Sequence, residues 1–143
     1  MWSDIWTGLL HGGLYVVLSM AILVFGVFVH DILTPGKIGQ KGKLLIEGNP
    51  NVAVLTVSYL VASGFIAVAA IWTTHSELGR GLLSTAIFGA VGIIVLAVTE
   101  TVVDKLTPGD LRDYFCEPQF QPVTAVTAAA NIMMGLIVAV SIL

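Results

Sequence analysis

Few side chains in this sequence could carry chemistry, and those few lie in or beside long apolar runs. Glu100 is the only acid inside such a run, and Asn131 lies near the middle of another. His30 and Asp31 follow the first apolar run, and Asp104 follows the run that contains Glu100. A carboxylate beside an imidazole can exchange protons, and paired aspartates can hold a cation. These five residues are the candidate functional residues.

Two environments are open to Glu100. At 100° per residue its side chain lies within about 20° of Gly89 and Leu96, on the close-packing face of its helix. It also stands three residues before the end of the apolar run, so the carboxylate could extend to cytoplasmic water. Alternatively, Glu100 is held inside the bundle near His30, which ends another helix at the same membrane surface. That second arrangement would be a protonatable pair.

Simpler structural roles are predicted for the amide and for the two aspartates. Asn131 shares a helix face with Ala128 and Gly135, and we expect it to hydrogen-bond across the bundle rather than to bind a substrate. Asp31 and Asp104 are expected in turns just after helices, each held by an Asx-type turn or by a nearby lysine. The alternative is a cation site that the two aspartates build together.

No cofactor, metal ion or catalytic group is predicted. His11 and His75 lack the paired helical spacing that is typical of metal and haem ligands. Cys116, the single cysteine, stands beside acidic and aromatic residues, which do not favour a reactive thiolate. We therefore expect a protein that is not an enzyme.

The amino-acid composition indicates the class of protein that contains these residues. The chain has 57% hydrophobic and 10% charged residues, and its mean hydropathy is +0.97. Too few polar residues are present to cover a water-soluble globule, whereas a bilayer would cover the apolar surface. The sequence therefore predicts an integral membrane protein whose partner is the lipid bilayer. The formal net charge of -3 lies in short connecting loops and gives no nucleic-acid signature.

Four apolar runs are long enough to span a bilayer, because about 20 helical residues cross a hydrocarbon core of roughly 30 Å. They are Leu9 to Val29, Val52 to Trp72, Leu82 to Val103 and Val123 to Leu143. The predicted fold is all-α, a polytopic membrane protein with four transmembrane helices in one domain, residues 1–143.

A repeat orders these helices in pairs. The stretch DILTPG, which begins at Asp31, returns as DKLTPG from Asp104, seventy-three positions later. Residues 8–72 and 81–143 therefore read as two tandem helical hairpins of the same orientation, related by an axis along the membrane normal. After each TPG turn we expect a short interfacial element, amphipathic in the second copy and weakened in the first by Gly36, Gly39 and Gly42.

The basic residues predict the orientation. Five of the six lie in the first and third loops, and only Arg80 lies in the second. By the positive-inside rule, loops 30–51 and 104–121 are cytoplasmic and both termini are outside.

The chain also resembles a known family. A helix that ends in TPG, a basic loop, and then LLIEGNPNVAV opening a glycine-containing helix resemble the YjfL-type small bacterial inner-membrane proteins, a family without a known function. The most specific positions of this resemblance are Thr34, Pro35, Gly48, Asn49, Ala53 and Gly64. Leu60 and Val68 stand where the family often has glycine and proline. Gln121, Pro122 and Val123 replace its second asparagine-alanine start. The resemblance implies a multi-pass protein of the bacterial inner membrane and carries over no reaction.

Two functions remain open. Stripes of small residues would let the helices pack with a second copy or with a larger membrane protein, as in a structural or assembly subunit. The stripes comprise Gly8, Gly12, Ser19 and Gly26; Thr85, Gly89 and Gly92; and Ala128, Gly135 and Ala139. The alternative is a small channel or transporter component with a protonatable site at Glu100. The scarcity of polar residues inside the runs favours assembly.

Overall fold

The protein is a bundle of helices. The computed structural model describes residues 2–33, 40–74, 78–106 and 111–143. The described ranges contain six helices and no strand: α1 Trp2–Leu33, α2 Gln40–Ile46, α3 Pro50–Thr74, α4 Leu78–Leu106, α5 Leu111–Cys116 and α6 Pro122–Ile142. Four of them, α1, α3, α4 and α6, are long and apolar enough to cross a membrane. The predicted all-α fold with four spanning helices is confirmed.

The spanning helices extend beyond their apolar runs. Helix α1 begins at Trp2 and includes His30 and Asp31, and α4 continues through Asp104 to Leu106. The predicted placement of the two aspartates in turns after the helices is therefore wrong. A helix satisfies its own backbone hydrogen bonds, so it continues into the polar interface, where charged side chains can reach water.

Short helices follow the first and third spans, as predicted. Helix α2 forms despite Gly42, and α5 packs Phe115 against Leu55 of α3. The apolar side of α5 thus rests on the bundle itself. Both TPG turns and His75 lie outside the described residues.

Helices α3 and α4 form the centre of the bundle. They contact each other, and α1 and α6 each pack against both of them. A buried cluster of Tyr59, Ala62, Ile66 and Leu96 joins α3 to α4, and partly buried side chains of α6, such as Met134, pack against it. Half of the α3 span is buried (50%), against 11% of the α1 span, so α1 is the peripheral helix.

Glycines set the closest helix contacts. A Cβ built on Gly135 of α6 would lie 2.6 Å from the Cα atom of Ala62 in α3. Gly89 and Gly92 of α4 face isoleucine side chains of α1 and α3. The small-residue stripes of α4 and α6 thus lie in helix interfaces. The α1 stripe is divided: Gly26 faces Ser63 and Tyr59 of α3, whereas nothing lies within 4 Å of a Cβ built on Gly8 or Gly12.

Two asparagines join the halves of the chain at one end of the bundle. The Asn49 side-chain oxygen accepts hydrogen bonds from the backbone N–H groups of Asn51 and Val52, which caps α3. Its side-chain nitrogen donates to the Glu117 carbonyl oxygen. Asn51 is wholly buried and bonds to the segment from Glu117 to Thr124. The connecting segments of the two halves therefore meet at the same end. Their relation as tandem repeats, 8–72 and 81–143, stays a prediction.

Candidate functional site

Glu100 of α4 and His30 of α1 form a pair in which His30 is buried and Glu100 is half-buried. The His30 Nε2 atom lies 2.8 Å from Glu100 Oε1, and the two side chains are 7% and 14% exposed. Of the two environments predicted for Glu100, the structure contains the one inside the bundle beside His30. The pair can form because both residues lie near the ends of their helices, at the same level of the bundle.

Asn131 of α6 reaches the same carboxylate. Its Nδ2 atom donates a hydrogen bond to Glu100 Oε1 over 3.1 Å, and the residue is fully buried. Glu100 thus joins three spanning helices, and the bond predicted for Asn131 across the bundle is made to its carboxyl group.

Lys41 completes a chain of polar groups from the membrane surface. Helix α2 brings its Nζ atom to 2.6 Å from His30 Nδ1 and to 3.0 Å from the His30 carbonyl oxygen. Because an ammonium group can only donate, Nδ1 is the acceptor, and the imidazole hydrogen is then on Nε2, facing Glu100. The contacts run in order from Lys41 through His30 to Glu100.

The surroundings of Lys41 bring the pKa of its ammonium group close to neutral pH. Burial lowers the pKa of the Lys41 ammonium from its ordinary 10.5 to about 8, while the carboxylates of Glu100 and Asp31 oppose that fall. The Lys41 amine can therefore lose and regain a proton near the pH of a cell.

Tyr59 of α3 contributes the fourth spanning helix. Its ring lies 4.5 Å from the His30 ring, tilted by 58°, and only 1% of the residue is exposed. We call His30, Lys41, Tyr59, Glu100 and Asn131 the polar cluster. Each of the four spanning helices supplies one of its members, and α2 supplies Lys41.

Lys41 and Tyr59 were missed by the sequence reasoning. Lys41 lies in a basic loop and would be expected in water, and an aromatic ring in an apolar run is usually a packing residue. A usable signal was the phenol itself, because a tyrosine hydroxyl in a spanning segment needs a polar neighbour.

The aspartates lie beside the cluster. Asp31 is half-buried, and its carboxylate acts on Lys41. Asp104 is also half-buried, four residues beyond Glu100 on α4. Throughout the part of the chain that the structure describes, no group of three or more His, Cys, Asp or Glu side chains could hold a metal ion. The cation site proposed for the two aspartates gains no support from this arrangement.

A groove runs along the bundle next to the cluster. It encloses about 510 Å³ between α1, α2 and α3, and its polar end is formed by His30, Asp31 and Lys41. Most of the remaining lining is aliphatic or aromatic, including Val24, Phe28 and Leu60. The Lys41 end of the cluster is thus next to an apolar surface that lipid chains would cover.

Four spanning helices and a polar cluster near one end of the bundle define a multi-pass membrane protein with ionisable groups between its helices. The chain belongs to the family described as Domain of Unknown Function (DUF350), whose model matches residues 4–142.

Its relatives are bacterial membrane proteins. A UPF0719 transmembrane protein of Mycolicibacterium paratuberculosis is 32% identical over 129 residues, which cover 90% of this chain and 84% of the relative. A UPF0719 transmembrane protein of Mycobacterium bovis is 29% identical over 140 residues, covering 95% and 91%. No solved structure matches the chain. The predicted membership of an uncharacterised family of bacterial multi-pass membrane proteins is confirmed, and the YjfL-type name stays a prediction.

Proposed function

We propose that the protein is a non-enzymatic component of proton transfer, which takes up a proton at one membrane surface and delivers it to Glu100 inside the bundle. One observation carries the proposal. Two successive contacts, of 2.6 Å and 2.8 Å, join Lys41 to His30 and His30 to Glu100, so a donor faces an acceptor at each step. This is the transport alternative with a protonatable site at Glu100.

The transfer needs only the groups that are present. The Lys41 proton bonds to His30 Nδ1, and the Nε2–H bond breaks as its proton passes to Glu100. The imidazole stays neutral and changes tautomer, Lys41 becomes a neutral amine, and Glu100 becomes a carboxylic acid. Lys41 then regains a proton from interfacial water, which its pKa of about 8 allows at neutral pH.

The energetic cost of the cluster favours this role over a purely structural one. An ionisable pair inside a membrane bundle is expensive to desolvate, and apolar packing usually holds helices together at least as well. Close backbone contact at Gly135 and the apolar cluster around Ala62 already join α3 to α6. Glu100 and His30 are therefore better explained by proton exchange.

The test measures proton uptake by liposomes that contain the purified protein and a trapped pH-sensitive dye. Glu100→Gln keeps the shape and removes the proton acceptor, so we expect uptake to slow about tenfold or more. His30→Gln should act similarly, because an amide does not relay a proton. Glu47→Gln is the matched control, since Glu47 is exposed on the α2 side and pairs with Lys43. Wild-type uptake by the Glu100→Gln protein would refute the proposal.

The assembly function remains a second candidate because α1 has an uncovered side. Only 11% of its span is buried, and Gly8 and Gly12 have open space around them. A second copy or a larger membrane protein could pack there. Mass measurement of the particle in mild detergent tests this: an assembly subunit should be larger than one chain, and Gly12→Leu should dissociate it.

The location that we propose is the cytoplasmic membrane of a bacterium, with the polar cluster toward the cytoplasm. The excess of Lys and Arg in the first and third loops supports this orientation. Protons would then enter the Lys41 end from the cytoplasmic side.

A further inference from the structure

Three buried oxygen atoms near the polar cluster have no hydrogen-bond partner among the described residues. They are the Tyr59 hydroxyl, Ser63 Oγ and Asn131 Oδ1. The residues are 1%, 0% and 0% exposed. The amide nitrogen of Asn131 donates to Glu100, so the amide oxygen of Asn131 is left without a partner from Glu100. Buried polar groups in proteins are almost always paired, with protein or with ordered water.

The three residues belong to one region of the bundle. Tyr59 and Ser63 are neighbours one turn apart on α3. Both face α1, because a Cβ built on Gly26 would lie 3.1 Å from Ser63 Oγ and 3.2 Å from Tyr59 Cε1.

Asn131 approaches the same region from α6. Tyr59 packs in one cluster with Leu96, one turn from Glu100, and with Met134, one turn from Asn131. Glu100 is the residue that joins the α1 and α6 sides through His30 and Asn131.

Water fits these atoms better than another ligand does. Asn131 Oδ1 can only accept a hydrogen bond, whereas each hydroxyl can donate or accept. A water molecule both donates and accepts, and a buried water typically serves about three otherwise unpaired groups. The number and the types of the unpaired atoms match that capacity.

We propose that ordered water is bound inside the bundle by Tyr59, Ser63 and Asn131. The water site stands on the unpaired atoms alone. Its role rests on the proposed function: the water extends the proton path from Glu100 one helical turn deeper, toward Ser63.

Whether removal of a hydroxyl group raises or lowers the melting temperature depends on whether water is bound there. Tyr59→Phe and Ser63→Ala each remove one hydroxyl and little else. If water is bound there, each change removes one of its partners, and we expect the melting temperature in detergent to fall by about 3 °C. If the site is dry, each change removes an unpaired buried group and the melting temperature should rise. A rise in both variants would overturn the proposal.

Ser58→Ala is the matched control. Ser58 is buried on the same helix, but its hydroxyl donates to the Leu55 carbonyl oxygen of its own turn over 2.8 Å. Removing it should change the melting temperature less than Ser63→Ala does. An equal fall in both serine variants would assign the loss to serine burial in general and overturn the water site.

The unchanged protein provides a direct measurement that does not depend on how variants fold. Hydroxyl radicals produced from bound water by an X-ray pulse react with adjacent side chains. We expect modification of Tyr59 although only 1% of the residue is exposed. An unmodified Tyr59 contradicts the proposal. A melting temperature that rises with Na⁺ and not with choline would assign the site to a cation instead.

The two proposals fail separately. Wild-type proton uptake by Glu100→Gln, together with lower melting of Tyr59→Phe, would remove the proton-transfer function and leave the water site. Slow uptake by Glu100→Gln, together with higher melting of Tyr59→Phe and Ser63→Ala, would leave the function and remove the water site.

Discussion

At the scale of single residues, the site divides into parts that the sequence predicts and parts that it does not. The inward direction of Glu100 follows from its angle to Gly89 and Leu96, because a helix repeats at a fixed angle per residue. Its proximity to His30 follows from two helices that end at the same surface. The position of Lys41 depends on how the chain turns between α1 and α2. No local pattern encodes that turn, so the sequence does not predict the contact of Lys41 with His30.

The pKa of Lys41 should respond to Glu100. The Glu100 carboxylate opposes the fall that burial causes, so Glu100→Gln should lower the Lys41 pKa further below about 8. An NMR titration of isotopically methylated lysines would measure this. Glu47→Gln is the control, because Glu47 pairs with the exposed Lys43. An unchanged or raised Lys41 pKa in Glu100→Gln would contradict the electrostatic coupling.

The stability of the protein should rise between pH 8 and pH 10.5 because of Lys41. Its folded pKa of about 8 lies below the ordinary 10.5, so in this window the unfolded chain binds more protons than the folded one. The gain is on the order of 3 kcal/mol at most. Chemical unfolding in mixed micelles at both pH values would measure it. Lys41→Met should lack this part of the increase, and an equal increase in both proteins would argue against a buried Lys41 ammonium.

At the scale of helices, length and apolar content predict the spans, whereas the helix ends and contacts come from packing. Lipid tails and leucine side chains are about equally apolar, so hydrophobicity alone does not select helix partners. Small residues do, because they allow close approach. The stripes on α4 and α6 lie in helix contacts, while the similar pair Gly8 and Gly12 lies on an open surface. The pattern therefore predicts which faces can pack closely and not which of them do.

Gly135→Ala should destabilise the contact between α3 and α6. The added methyl group would lie 2.6 Å from both Cα and Cβ of Ala62 and 2.9 Å from its carbonyl oxygen, and backbone does not move aside easily. We expect a loss of about 1 to 3 kcal/mol, measured by chemical unfolding in mixed micelles. Gly64→Ala is the control, because its Cβ would meet nothing within 4 Å. It should be neutral or stabilise by up to about 1 kcal/mol. Equal effects would mean that the close contact is absent.

Asn51→Ala should loosen the junction between the two halves. The Asn51 side chain donates to the carbonyl oxygens of Glu117 and Gln119, and accepts from the Gln121 backbone N–H and the Thr124 hydroxyl. Loss of these bonds should cost about 2 to 4 kcal/mol of unfolding free energy.

A nearby threonine provides the control for Asn51→Ala. Among the described residues the Thr56 hydroxyl bonds to the Val52 carbonyl oxygen of its own helix, over 2.8 Å, so Thr56→Val should cost much less. Hydrogen exchange should also become faster at the start of α6 in Asn51→Ala alone. Unchanged exchange there would contradict the role of Asn51 as a junction.

At the scale of the whole molecule, the composition predicts a membrane protein. The residues of the polar cluster in one predicted repeat have no matching residues in the other. In the alignment of residues 8–72 with 81–143, Glu100 corresponds to Val27 and Asn131 to Leu60. A duplication would therefore supply the frame of four helices, and the ionisable groups would be single additions to it. One polar cluster, not two, is the expected outcome.

The orientation in the membrane can be tested with Cys116. This exposed thiol belongs to the last residue of α5, in the segment 104–121 that we predict to be cytoplasmic. A membrane-impermeant thiol reagent should leave it unlabelled in intact cells and label it in inverted membrane vesicles. Labelling of detergent-solubilised protein is the control for reactivity. Labelling in intact cells would reverse the orientation and place the Lys41 end outside.

The asparagine junction also imposes an order on biosynthesis. All four side-chain bonds of Asn51 go to residues at positions 117 to 124, which leave the ribosome after α3 and α4. Until then the amide has no such partners, and water at the membrane interface must solvate it. The first two spans can enter the bilayer early, but the start of α3 cannot dock in its final position. A nascent chain released before residue 117 would therefore keep a hydrated, unanchored helix end.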